Sequence, residues 1–126
     1  MFTHIMLGAD DLDVAQRFYD AALGALGITP GRRFETRVLY AHDGGVFIVT
    51  QPIDGEAASC ANGGTIGFRA ASIEAVDAWH AAGLAHGGST CEDPPGPRDT
   101  GLGRAYCAYL RDPSGNKLCA AVRIAA

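Results

Sequence analysis

The chain carries two copies of one pattern. From Thr3, the run Thr-His-Ile-Met-Leu-Gly-Ala-Asp-Asp-Leu-Asp-Val-Ala-Gln-Arg-Phe-Tyr reads as a strand, a cap and a helix. From Gly64, the run Gly-Thr-Ile-Gly-Phe-Arg-Ala-Ala-Ser-Ile-Glu-Ala-Val-Asp-Ala-Trp-His reads the same way. The copies align without a gap at an offset of 61 residues, which puts Thr65 on His4, Ile66 on Ile5, Phe68 on Leu7, Ala70 on Ala9, Ile73 on Leu12, Trp79 on Phe18 and Leu84 on Leu23. A repeat of this length means two copies of one supersecondary unit, neither of which can bury its apolar face alone.

Each copy continues in strands. In the first, Ile5 and Leu7 alternate with His4, Met6 and Gly8, as in a half-buried strand. Asp10 or Asp11 caps a helix whose apolar stripe is Leu12, Ala15, Phe18, Tyr19, Ala22 and Leu23. Strands are expected at 32–34, 36–41 and 46–51, with His42-Asp43-Gly44-Gly45 as the turn between the last two. In the second copy a strand at 65–70 is followed by Ser72 as cap and a helix burying Ala75, Val76, Trp79, Ala82 and Leu84. A short strand at 89–92 precedes a Pro- and Gly-rich stretch, 93–103, that reads as an irregular and functional loop. Strands at 104–111 and 117–123 then flank the turn Asp112-Pro113-Ser114-Gly115-Asn116. The expectation is one α+β domain over residues 1–126: a βαβββ module at 1–52, a connector at 53–62 and a second βαβββ module at 63–126. Together they form a curved mixed sheet whose helix-free faces meet in a cleft.

Composition narrows the function. A net charge of −4 offers no basic surface for nucleic acid or an anionic membrane. No apolar run approaches the ~20 residues of a membrane span, and the N-terminus lacks a signal-peptide pattern. Cys60, Cys91, Cys107 and Cys119 include no pair at the two-residue spacing of a zinc knuckle or redox motif. Reduced thiols in a cytoplasmic protein are the expectation, with Cys107 and Cys119 as small buried strand residues.

His4 before Ala9-Asp10-Asp11-Leu12-Asp13, then Phe18-Tyr19, and finally Leu110-Arg111-Asp112-Pro113-Ser114-Gly115-Asn116-Lys117-Leu118 give the chain a family likeness. It resembles the vicinal oxygen chelate superfamily of glyoxalases, bleomycin-resistance proteins and extradiol dioxygenases. The small bacterial glyoxalase-like proteins are similar too, through Asn62-Gly63 and Ala75-Val76-Asp77-Ala78. The resemblance implies a homodimer and, in metal-dependent members, a divalent metal held by His, Glu or Gln from the first and last strands of each module. Here those positions are His4, Ile48, Thr65 and Cys119. A catalytic metal needs about three protein ligands, and only His4 and Cys119 are serious donors, so no metal and no other cofactor is expected.

The expected function is binding of a small molecule in the inter-module cleft. The alternative is a metal-dependent glyoxalase-like lyase or dioxygenase acting on a vicinally oxygenated substrate. The residues expected to line the cleft are His4, Arg37, Tyr40, Ile48, Thr65, Tyr106, Cys107, Tyr109 and Cys119. His4 and Cys119 on one cleft wall would also allow a thiolate-imidazole pair, although no Asp or Asn is evident to orient it. Arg98 and Arg104 flank the Pro/Gly loop and read as solvated surface arginines, with capping of a ligand carboxylate as the lesser reading.

Overall fold

Both copies form as expected in the computed structural model, which describes residues 1–125. The order is β1 (Ile5–Gly8), α1 (Leu12–Gly24), β2 (Arg32–Phe34), β3 (Arg37–His42), β4 (Gly45–Thr50), β5 (Ile66–Arg69), α2 (Ile73–Ala85), β6 (Ser89–Thr90), β7 (Gly96–Asp99), β8 (Arg104–Arg111) and β9 (Lys117–Arg123). Asp11 is the cap of α1, accepting from the backbone N–H groups of Asp13 and Val14 at 2.9 and 3.1 Å. Ser72 does the same for α2, accepting from Ala75 N at 3.1 Å. Among the described residues, no helix is long and apolar enough to cross a membrane.

The strands form two sheets, ordered β1-β4-β3-β2 and β5-β9-β8-β6, with β1 parallel to β4, β5 parallel to β9 and the other ladders antiparallel. The stretch expected to be irregular contains β7, which runs along β8 with Gly96 opposite Cys107 and Asp99 opposite Arg104. Pro97 is tolerated there because β7 lies at an edge, where an absent N–H costs no ladder bond on its outer side. Together β6 and β7 occupy one edge of β8, as a single interrupted strand would.

The registers verify the repeat at the level of backbone pairing. Met6 pairs with Ile48, and its repeat partner Gly67 pairs with Cys119. Ile48 and Cys119 are therefore equivalent positions. The same logic equates Leu39 with Tyr109 and Arg37 with Cys107.

One core serves both modules. It contains Phe18, Tyr19 and Leu23 of α1, Val38, Tyr40, Phe47 and Val49 of sheet one, Val76 and Trp79 of α2, and Ala108, Leu110, Leu118 and Ala120 of sheet two. The modules are thus joined through their helix-covered sides, with α1 packed on α2. Gly83, not Leu84, faces this joint: Leu84 is exposed, while a Cβ on Gly83 would lie 2.3 Å from Leu110 Cδ1 and 3.2 Å from Phe18 Cε1. The missing side chain is what lets the helix approach so closely.

The Asp112–Asn116 turn locks the joint. The buried Asp112 carboxylate accepts from Tyr19 Oη at 2.5 Å and from Asn116 Nδ2, Asn116 N and Ser114 N at 2.9 Å each. Asn116 Nδ2 also donates to the Gly8 carbonyl at 2.9 Å, tying the turn of module two to the first strand of module one. Burial, followed by the adjacent Asp112 charge, pushes the Tyr19 hydroxyl well above its ordinary value, so it remains a donor. The motif that carries the resemblance is therefore structural: it satisfies a buried carboxylate and fastens one repeat to the other.

Candidate functional site

Because the helix sides meet, the helix-free faces of the two sheets do not face one another across a common cleft. Each lines its own hollow. On module one, Met6, Gly8, Arg37 and Thr50 border a hollow of about 680 Å³, partly covered by Ile53, Asp54, Ala57 and Ala58 of the connector. On module two, Gly67, Arg69, Cys107, Tyr109, Cys119, Ala121 and Arg123 border one of about 740 Å³. The two hollows share no lining residue.

The nine residues expected in a common cleft are distributed accordingly. Cys107, Tyr109 and Cys119 line the module-two hollow, and Arg37 lines the module-one hollow. Ile48 lies on the open face of module one by strand parity and is itself buried. His4 and Thr65 are exposed, and His4 Nδ1 lies 2.9 Å from Thr3 Oγ1. Tyr40 and Tyr106 do not belong to the open faces. They point to the helices, where their hydroxyls donate to Asp20 Oδ1 and Asp77 Oδ1 at 2.8 Å each. Alternation along the strands requires this: Arg37 and Tyr40 have opposite parity, as do Tyr106 and Tyr109, so neither pair can share a face.

The module-two face has a distinct chemistry. Tyr109 has two cations against its ring, with Arg98 Cζ 5.7 Å and Lys117 Nζ 5.3 Å from its centroid. Lys117 also pairs with Glu92. Burial pushes the Tyr109 hydroxyl up to about 12, helped by Cys119 and Cys107. Burial likewise pushes the Cys119 thiol up to about 11, assisted by Cys107 and opposed by its hydrogen bond with Tyr109. A thiol so placed is protonated at neutral pH. His4 lines neither hollow, so the thiolate-imidazole pair has no geometric basis.

The same facts test the family's metal. The four ligand positions hold an exposed imidazole, a hydrocarbon, an exposed hydroxyl and a protonated thiol. That donor set does not suit a hard divalent cation, which takes carboxylate and imidazole. Among the described residues, no three His, Cys, Asp or Glu side chains are grouped to hold a metal ion.

Arg69 and Arg123 were not singled out by sequence reasoning, yet both line the module-two hollow. Parity could have found them. Arg69 lies two residues from Gly67, and Arg123 two from Ala121, both on the Cys119 side of their strands.

Two βαβββ modules, each with a helix on one face and an open hollow on the other, define a paired-module α+β fold. The match to known proteins is as direct. The family model for the Glyoxalase/Bleomycin resistance protein/Dioxygenase superfamily matches residues 1–120, and the chain belongs to that superfamily. A crystal structure of a glyoxalase/bleomycin resistance protein from Albidiferax ferrireducens T118 is 54% identical, with 97% of this chain and 98% of that one covered and a TM-score of 0.95. A glyoxalase-related enzyme from Fulvimarina pelagi shares 20% identity over 96% of this chain and 86% of that one, with a TM-score of 0.71. A lactoylglutathione lyase from Agrobacterium tumefaciens shares 22% over 96% and 92%, with a TM-score of 0.64. The last two share the fold. No curated protein matches the sequence.

Proposed function

We propose that this superfamily member binds a small molecule on the open face of module two, without the divalent metal of its metal-dependent relatives. The observation that carries this reading is the substitution pattern at the ligand positions: Ile48 and Cys119 occupy register-equivalent sites, one unable to ligate and the other a buried thiol held protonated. Around Cys119 the face offers an aromatic platform in Tyr109, small side chains at Ala105 and Ala121, and guanidinium groups at the margin. Such a mixture of apolar floor and few polar groups is the usual make-up of a ligand pocket.

A homodimer is part of the proposal. The chain covers the open face of module one only in part, through its connector, and a second copy supplies further cover without a new fold. The setting is the cytoplasm, where the four thiols stay reduced.

The test is a thermal-shift screen of the full chain against divalent metals and small metabolites, repeated on Ala121→Trp, which fills the module-two hollow. A true ligand raises the melting temperature in proportion to the logarithm of its excess over Kd. The reading predicts organic hits that Ala121→Trp abolishes and no stabilisation by metals alone. Hits that survive Ala121→Trp, or stabilisation by a metal alone, would count against it.

A further inference from the structure

The module-two hollow has a charge pattern at odds with the chain. The protein carries a net charge of −4, yet no Asp or Glu lines this hollow. Arg69 and Arg123 line it, and the sheet register places Arg98 on the same face, against the Tyr109 ring. Arg98 on β7 pairs with Ala105 on β8, and Ala105 pairs with Arg123 on β9. The two arginines therefore flank Ala105 on one face, about 10 Å apart at the backbone given the ~4.8 Å strand spacing. One strand further, Arg69 on β5 pairs with Ala121, two residues before Arg123 and on the same face.

None of the three is neutralised. Among the described residues the ion pairs are Arg33 with Asp13, Arg104 with Asp99, and Lys117 with Glu92. Arg98 is instead held by carbonyls, donating to Gly96 O, Asp93 O and Pro94 O at 3.0 Å each, which fixes its position against Tyr109 without cancelling its charge. Arg123 Nη1 donates to the Leu102 carbonyl at 3.0 Å. Between the cations the floor is Ala105, Cys107, Ala121 and Gly67, all small, so room remains where longer side chains would have filled it. Cations held apart across a hollow, with no carboxylate to quench them, are arranged for an anion from outside. Guanidinium forks match the paired oxygens of carboxylate or phosphate.

We propose that the module-two hollow binds a small organic dianion, with one carboxylate or phosphate group toward Arg69 and Arg123, the other toward Arg98, and an apolar body over Ala105 beside Tyr109. The assignment rests on the open-face reading above and adds the chemical class of the ligand. It requires no covalent step.

Calorimetric titration of the full chain with phthalate, its neutral diamide and inorganic phosphate tests it. Arg69→Gln and Arg123→Gln should each weaken phthalate binding about tenfold, the loss of one charge-assisted contact. Arg32→Gln on β2 in the other module should leave it unchanged. The diamide and inorganic phosphate should each bind at least tenfold more weakly than phthalate. The proposal is overturned if the diamide or phosphate binds as tightly, if both arginine variants bind phthalate normally, or if phthalate does not bind at about 10 mM, roughly tenfold above a Kd of 1 mM, which corresponds to about −4 kcal/mol. A diamide that binds as well as phthalate, but not to Ala121→Trp, removes the anion assignment and leaves the open-face site standing. Binding of every probe undisturbed by Ala121→Trp removes both.

Discussion

Replacing Tyr19 by Phe removes one oxygen from the joint between the modules and changes almost nothing else. The ring is fully buried against Phe18 and Phe47, so the substitution keeps shape and volume. What disappears is the 2.5 Å hydrogen bond to the buried Asp112 carboxylate, which keeps Asn116 Nδ2, Asn116 N and Ser114 N as donors. A hydrogen bond to a charged group contributes about 1.5–3 kcal/mol. For a domain of this size that corresponds to a fall in Tm of roughly 5–12 °C. Asp112→Ala should cost more, about 3–5 kcal/mol, because it orphans several donors at once. In a double-mutant cycle measured by urea unfolding, the two changes should be strongly non-additive. The pH dependence gives a second check. The folded Tyr19 hydroxyl sits well above its ordinary value of 10.0, so its contribution is fully present below pH 10 and is lost as pH rises beyond it. Phe cannot ionise, so the stability gap between wild type and Tyr19→Phe should narrow above pH 10. A loss under 0.5 kcal/mol, roughly the scatter of surface substitutions, would refute the clamp, as would a gap constant from pH 9 to 11.

Two further outcomes follow from the packing. Iodoacetamide at pH 8 should modify the exposed Cys60 before Cys107 and Cys119, because both are buried and the Cys119 thiol is pushed up to about 11; peptide mapping that finds Cys119 labelled at the rate of a free thiol would contradict this placement. Gly83→Ala should destabilise by about 1–3 kcal/mol in chemical denaturation despite the better helix propensity of alanine, since its methyl would meet Leu110 at 2.3 Å; a neutral or stabilising result would show that the helix joint yields.

Much of this architecture was legible because the repeat constrains each half with the other. The offset of 61 residues aligns the opening strand and helix of each half, the last-strand positions implied by the resemblance, Ile48 and Cys119, are equivalent in the ladders, and Asp11 and Ser72 cap their helices as their side chains suggest. Which sides of the modules meet was not legible. Both faces of β4 are apolar, so Phe47 and Ile48 give no sign of which one turns toward α2 and which toward an open hollow. Small side chains had the same effect at the helix joint, where Gly83 carries no hydrophobic signal yet makes the closest approach. β7 was hidden by Pro97 and the glycines around it, whose composition reads as loop while the edge of β8 supplies the pairing. Tyr40 and Tyr106 were placed by residue type, aromatic and polar-tipped, whereas strand parity against Leu110 and Val38 assigns them to the helices. Arg69 and Arg123 carry no signal as single residues, because each alone looks like a solvated surface residue; only the register of β5 and β9 brings them together.

On the proposed function, this member of the superfamily lacks the metal and keeps the hollow. Elemental analysis of untagged protein after exhaustive dialysis tests it most directly. The donor set at His4, Ile48, Thr65 and Cys119 predicts iron, nickel, manganese and zinc each far below one atom per chain. One retained atom per chain or per dimer, lost on Cys119→Ala or His4→Ala, would contradict it.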